Sequence, residues 1–378
     1  MEKRDLIEVS EIIKSLNTKN IKIKVVDDNI ELYSINNKLD EELRNKIRKN
    51  KKQLIQILQS SQSGFYKPIK VCEKKEYYQL SPAQNRLYFI WQLDQYSLNY
   101  NMTEAFPIYK IEIEELKNLF YKIIYKHDIF RTYFKTINNL SYQIISKHIS
   151  NEIEYISCSL NNVKDEIIKF RKPFDLHNGP LVRLALIDIE SDYNFIVIDM
   201  HHIISDGISM EILKKEFINI LSNNESKNNK ISYKDYSEWY YKYRTLGKLD
   251  SQLNYWKNVF LDNTPPLELP TDFKRPEHFN FKGKNIYIEI DNHLYRELKN
   301  LCHEYKISLS NLVFSLLNIL FYIYTQQKDI IIGNIISGRN NHELSNVIGL
   351  FLNILPIKTH INAESKFKDF CSQVYYAR

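Results

Sequence analysis

Two adjacent histidines, His201 and His202, are followed by Asp206 and Gly207, and no other stretch of the chain is so well equipped for proton chemistry. Imidazole titrates near pH ~6.5, so a histidine can take or give a proton around neutrality. A carboxylate four residues on can hold the local geometry, and a glycine permits a tight turn or close approach of a ligand. Neutral imidazole also binds metals, but neighbouring residues of a strand point to opposite faces. The two rings are therefore not expected to share an ion, and no metal site is expected. A histidine pair is also compatible with a hydrogen-bonded core feature, so its surroundings must decide.

The flanking elements favour chemistry. Phe195, Ile196, Val197 and Ile198 form an apolar run that reads as a buried strand delivering a histidine to its end. An amphipathic stretch begins at Ile208 and reads as a helix entered through a short turn. No GxSxG elbow and no evident cysteine nucleophile appear.

The chain has 378 residues, 43% hydrophobic and 26% charged, with a net charge of +6. That length allows two or three domains and a sizeable core. Lysines are spread along the chain, which argues against nucleic acid as a partner. Cys72, Cys158, Cys302 and Cys371 lie far apart and read as reduced thiols of a cytoplasmic protein. No 18-residue apolar run occurs, so no membrane span is expected; Leu312 to Tyr324 reads as a buried helix.

Residues 1–60 read as a separate unit. Leu6, Val9, Ile12, Ile13 and Leu16 recur at helical spacing, and residues 21–26 and 30–34 alternate around an Asp27–Asp28–Asn29 turn. A second helix is expected from Asp40 to about Leu58. A helix–hairpin–helix this small lies near the limit of independent stability, which points to self-association as a homodimer. Residues 61–76 read as a linker, and from Tyr77 strands and helices alternate, giving an α/β (α+β) fold.

Several further stretches stand in a fixed order. Ser81 to Tyr88 fits SxAQxRLW and contains Arg86; Lys126 to Phe134 fits RHExLRTxF and contains Arg131. Phe174 to Leu176, Gly179 to Arg183, Tyr233 to Tyr236 with Trp239, and Leu269 to Asp272 follow. Gly333, Gly338, Arg339, Glu343, Gly349 and Phe351 to Asn353 close the series. With HHxxxDG at His201–Gly207, this order resembles condensation domains of nonribosomal peptide synthetases, within the chloramphenicol-acetyltransferase-like acyltransferases. Residues 1–60 resemble the small tubulysin-type docking domains of such synthetases. Two departures stand out: Asn334 to Ile336 replace a usual proline-containing stretch, and Ile208 replaces a common tryptophan. The family's last two motifs do not appear before Arg378, which implies a second lobe incomplete by roughly a hundred residues.

The resemblance implies a docking domain at 1–60, a first lobe at 77–245 and an incomplete second lobe at 246–378. It implies amide formation between an upstream carrier-bound acyl or peptidyl thioester and a downstream carrier-bound aminoacyl amine. His202 would accept or position the amine proton, and Gly207 would lie by the reacting carbonyl. Asp206 would pair with Arg339, and His201 would support the loop. Arg86 and Arg131 would be structural or line the tunnel between lobes. The chain itself would bind no cofactor; 4′-phosphopantetheine would come on the peptidyl carrier proteins. Lys22 and Lys24 would face the acidic C-terminal tail of an upstream synthetase, added as a strand to the hairpin edge. The same lysines could merely guard that edge against aggregation. The motif variants fit an ordinary condensation type taking an L-configured donor. Two other functions remain open at this level: a stand-alone CoA-dependent acyltransferase and an inactive recruitment module.

Overall fold

The structure is a computed structural model. It describes residues 12, 15–16, 21–26, 29–33, 40–51, 53–55, 68–148, 152–222, 224, 229–274, 276–277, 283–284 and 286–377. The chain divides into two compact units, Met1–Pro68 and Ile69–Arg378.

In the first unit, β1 (Lys22–Val26) and β2 (Asn29–Tyr33) pair antiparallel, with Lys22 opposite Tyr33 and Lys24 opposite Glu31. The helix Glu41–Lys49 starts where Asp40 accepts the Leu43 N–H at 2.8 Å. Its acidic first turn and basic last turn both complement the helix dipole. Ile12, Leu16, Ile21, Leu43, Ile47 and Leu54 form the core, with Ile23, Ile30 and Leu32 packed against it. Leu6, Val9 and Ile13 of the first expected helix lie outside the described residues, as do the Asp27–Asp28 turn, residues 56–58 of the second helix and residues 61–67 of the expected linker.

The second unit mixes helix and sheet. Its strands are β3 (Tyr78–Gln79), β4 (Asn101–Tyr109), β5 (Thr132–Ile137), β6 (Leu140–Ile145), β7 (Ile153–Ser157), β8 (Val182–Asp188), β9 (Tyr193–His201), β10 (Asp329–Ile336) and β11 (Asn353–His360). The main sheet has the order β4-β9-β8-β7, antiparallel except for β7–β8. On one face Ile196, Ile198 and Met200 pack with Phe120 and Ile123 of the helix Ile113–Lys126, and with Leu213 and Phe217 of the helix Gly207–Leu221. On the other, Val197 packs with Val163 and Phe170 of the helix Val163–Phe170. Burial on both faces explains the unbroken apolar run in β9. Each such side chain contributes about 1.5–3 kcal/mol.

Farther along, β10 and β11 pair antiparallel from Asp329–His360 to Ile336–Asn353. The segment between them crosses into the main core, where Leu344, Val347, Ile348, Leu350 and Phe351 are buried. Two glycines make that crossing possible. Gly338 has φ +64, and a Cβ there would meet the Phe351 carbonyl oxygen at 2.0 Å. A Cβ on Gly349 would meet Tyr233 Cδ2 at 1.9 Å.

Two sequence expectations need correction. Residues 69–76, read as linker, are held to the second unit: Ile69 is buried and its N–H reaches Glu343 Oε2 at 2.9 Å. The Cys72 N–H reaches Asp235 Oδ1 at 2.8 Å, and Lys75 pairs with Glu238 at 2.6 Å. Composition hid the backbone donors that meet these carboxylates. The helix Leu309–Thr325, read as buried, is buried on one side only, through Leu312, Phe314, Ser315 and Asn318; Val313, Leu316, Leu320, Ile323 and Tyr324 are exposed. Among the described residues no single helix is long and apolar enough to cross a membrane.

Candidate active site

The site is built where β9 ends. His201 is its last residue, and its N–H donates to the Leu181 carbonyl at 3.0 Å. The next N–H, of His202, donates to the Tyr100 carbonyl of the strand entrance opposite at 2.8 Å. A three-residue 3-10 turn, His202–Ile204, then leads to Asp206, the N-cap of the helix Gly207–Leu221. His202 was expected at the strand end; it is instead the first residue of this turn.

The two imidazoles differ in burial and in what their Nδ1 atoms meet. His201 is 3% exposed and its Nδ1 accepts the Ile203 N–H at 3.1 Å. Burial, with His202 adding a smaller effect, pushes its pKa down to about 3, so the ring stays neutral. His202 is half-buried, and its Nδ1 lies 2.7 Å from the Ser205 carbonyl oxygen. A carbonyl only accepts, which assigns the proton to Nδ1 and leaves the Nε2 lone pair available as a base. A backbone oxygen thus sets the tautomer.

Asp206 and Arg339 meet across this turn. Asp206 Oδ1 accepts the Ser209 N–H at 2.7 Å and Arg339 Nη2 at 3.0 Å, and Oδ2 accepts the Phe351 N–H at 3.1 Å. Arg339 Nη1 donates to the Leu344 and Val347 carbonyls at 2.7 and 2.6 Å. Its guanidinium carbon also lies 4.2 Å from the Phe351 ring centre. Burial lowers the Arg339 pKa and Asp206 opposes that shift. The pair ties the histidine turn to the crossing segment 338–352.

Gly207 is exposed, its φ lies outside the left-handed region, and a Cβ there would meet nothing within 4 Å. The turn therefore does not require glycine for its backbone.

The other named residues act at a distance. Arg86, exposed on the helix Pro82–Leu93, donates both terminal nitrogens to Asn353 Oδ1 at 3.1 Å. Arg131 holds Asp128 at 2.6 Å and the Ser146 carbonyl at 2.7 Å, and makes no contact with His202–Gly207. Trp239 is stacked on Tyr236 and Tyr243, which is packing. Lys22 and Lys24 belong to the first unit, on β1.

Four contributors were given no role at the site by the sequence reading, although Gln84 and Tyr233 lie in the motifs it quoted. Ser209 Oγ receives Arg339 Nη2 at 2.8 Å and the Gly349 N–H at 3.0 Å; an N-cap at Asp206 calls only for the Ser209 backbone N–H, so nothing in the sequence marked its hydroxyl. Gln84 Nε2 reaches the Ile203 carbonyl at 3.4 Å. Tyr233 bridges Ser81 Oγ at 2.7 Å and the Leu350 carbonyl at 2.5 Å. Asp199, fully buried in β9, bonds to Arg183 of β8 at 3.0 Å. A charged residue inside an apolar strand was the signal for Asp199.

Comparison with known proteins agrees with this geometry. The model of the family described as "Condensation domain" matches residues 74–376. Bacitracin synthase 3 of Bacillus licheniformis is 33% identical over 324 residues, 85% of this chain and 5% of that synthase. Bacitracin synthase 2 of the same organism is 29% identical over 369 residues, 97% of this chain and 14% of that protein. The chain therefore spans a small part of these relatives. In fold it is similar to the X-domain from teicoplanin biosynthesis, with a TM-score of 0.74, 18% identity, and coverage of 82% of this chain and 72% of that one.

Proposed function

The chain belongs to the condensation-domain family, and from that premise we propose that it forms an amide bond between two carrier-tethered substrates of a nonribosomal peptide synthetase. The observation carrying this reading is the half-buried His202, with Nδ1 fixed by the Ser205 carbonyl at 2.7 Å and Nε2 left as acceptor. The donor is an upstream acyl or peptidyl thioester and the acceptor a downstream aminoacyl amine. Each is carried on the 4′-phosphopantetheine arm of a peptidyl carrier protein; the chain itself contributes no cofactor. As the amine nitrogen bonds to the thioester carbonyl carbon, the C–S bond breaks and His202 Nε2 takes the amine proton. The leaving thiolate then recovers a proton. An amine with an α-amino pKa of about 7.7–8.0 needs only a modest base. Alignment of tethered reactants is worth ~7–11 kcal/mol and general-base help ~10²–10⁴-fold, so positioning carries most of the rate. Gly207 leaves room for the carbonyl, Asp206 and Arg339 fix the turn, and His201 supports it. Arg86 and Arg131 stabilise neighbouring elements.

In the same reading residues 1–60 dock, as a homodimer, onto the tail of an upstream synthetase in the cytoplasm, residues 61–68 connect, and 77–245 and 246–378 are the two lobes. The match to bacitracin synthase 2 covers 97% of the chain against 85% for bacitracin synthase 3, which supports an N-terminal unit in common with such synthases. Their names support a place in a peptide-antibiotic assembly line.

The test is amide formation in the complete synthetase with both carriers loaded. His202→Ala is expected to slow product formation by ~10²–10⁴-fold while carrier binding is unchanged. An equal rate with a poorly activated donor would remove the proton-transfer role. Transfer from free acyl-CoA without any carrier would select the stand-alone acyltransferase instead.

A further inference from the structure

β9 carries a charged residue in its interior. Asp199 lies two residues before His201, hence on the same face of the sheet. The register places Thr103 of β4 and Arg183 of β8 directly across from it on either side. Oδ1 accepts the Thr103 hydroxyl at 2.8 Å; Oδ2 accepts Asn101 Nδ2 at 2.9 Å and Arg183 Nε at 3.0 Å. An ionised carboxylate in this position is tolerated only when it is paired and hydrogen-bonded, and these donors meet that condition.

The partners of Asp199 are also the walls of the histidine turn. Asn101 stands opposite His201 in the β4–β9 register. The residue before it, Tyr100, gives its carbonyl to the His202 N–H at 2.8 Å, and its ring lies 6.3 Å from that of His201. The Arg183 guanidinium carbon lies 3.8 Å from the centre of the Phe174 ring. Phe174 in turn meets His201 edge to face at 6.2 Å and 88°. Arg183 Nη2 donates to the Lys172 carbonyl, and Asn101 Nδ2 donates to the same oxygen at 3.0 Å. One carboxylate therefore joins two separate segments, 100–103 and 172–174, on either side of His201. Apolar packing alone would bury them without fixing their register. A charged, directional row does fix it.

We propose that Asp199, Thr103 and Arg183 are positioning residues for His202, setting where its imidazole stands in the amide-forming reaction put forward above. They touch no reacting atom and act through Tyr100, Phe174 and His201. The inference rests on that reaction for its kinetic readout but not for its spectroscopic one.

Two measurements test it. In the complete synthetase with saturating carriers, Asp199→Asn is expected to lower kcat by about 10–100-fold with KM for either carrier unchanged, as for a misplaced catalytic group. Thr103→Val, a milder change that keeps the ion pair, is expected to lie between parent and Asp199→Asn. In the 378-residue chain, ¹⁵N-resolved imidazole spectra should show the His202 Nδ1–H signal shifted or broadened in both variants. Parent-like kcat per folded molecule, together with an unchanged His202 resonance, would overturn the proposal even if thermal stability fell. Should Asp199→Asn not fold, Thr103→Val decides by the same criteria. If the parent synthetase makes no amide, the proposed reaction fails, and the imidazole spectra still judge the positioning role.

Discussion

Asp206 spends both carboxylate oxygens on architecture: a helix cap, a buried arginine and a backbone N–H from the crossing segment. Removing it leaves the Arg339 guanidinium buried without its counter-charge, an effect of ~3–5 kcal/mol. Asp206→Ala should therefore lower the urea midpoint and soluble yield markedly. A variant as stable as the parent yet inactive would move Asp206 into the chemistry. The Asp206–Arg339 partnership was legible from the motifs. The Phe351 N–H was not, because every residue except proline offers the same backbone donor. The division of labour between His201 and His202 was legible only in part. Strand alternation separated the rings, but Ser205, whose carbonyl selects the His202 tautomer, carries no mark in the sequence. Of the two reasons read for Gly207, a tight turn or close approach of a ligand, its backbone does not need the first.

Between residue and molecule stands the crossing segment 338–352. Its fit depends on Gly349, where a methyl group would overlap Tyr233, whose hydroxyl is already fixed by Ser81 and the Leu350 carbonyl. The ring cannot retreat. Gly349→Ala is expected to destabilise by at least the ~1–3 kcal/mol of an overpacked core, read as a lower midpoint in differential scanning fluorimetry. No change in midpoint would mean that the segment adjusts around the new methyl. Strand β9 and the helix after it were readable from periodicity, since burial on both faces leaves an apolar run and burial on one leaves a stripe. The helix Leu309–Thr325 was misread for the same reason: apolar residues all round do not reveal which side is covered. The strap at 69–76 was misread because polar side chains say nothing of backbone hydrogen bonds.

At the scale of the whole molecule, the division at Pro68–Ile69 falls inside the Ser/Gln/Lys-rich stretch that composition had marked. Two-strand pairing of β1 with β2 leaves an edge of each strand open to a further strand among the described residues. If docking is strand addition, titrating the full chain with an acidic tail peptide should perturb the Lys22 and Lys24 amides first in TROSY spectra. Shifts confined to the helix Glu41–Lys49 would reject strand addition. The order of motifs made the family legible. It did not disclose that the crossing segment belongs to the core of the first half of its unit.

That placement has a consequence for synthesis of the chain. Arg339 is made 133 residues after Asp206, a delay of about 7–27 seconds at ~5–20 residues per second. Until then the N-cap carboxylate and the apolar seat of Leu344, Val347 and Phe351 stand open on the nascent chain. The half that carries the histidine turn is therefore closed only once the crossing segment has been made, and through that interval its open seat is exposed to mispairing.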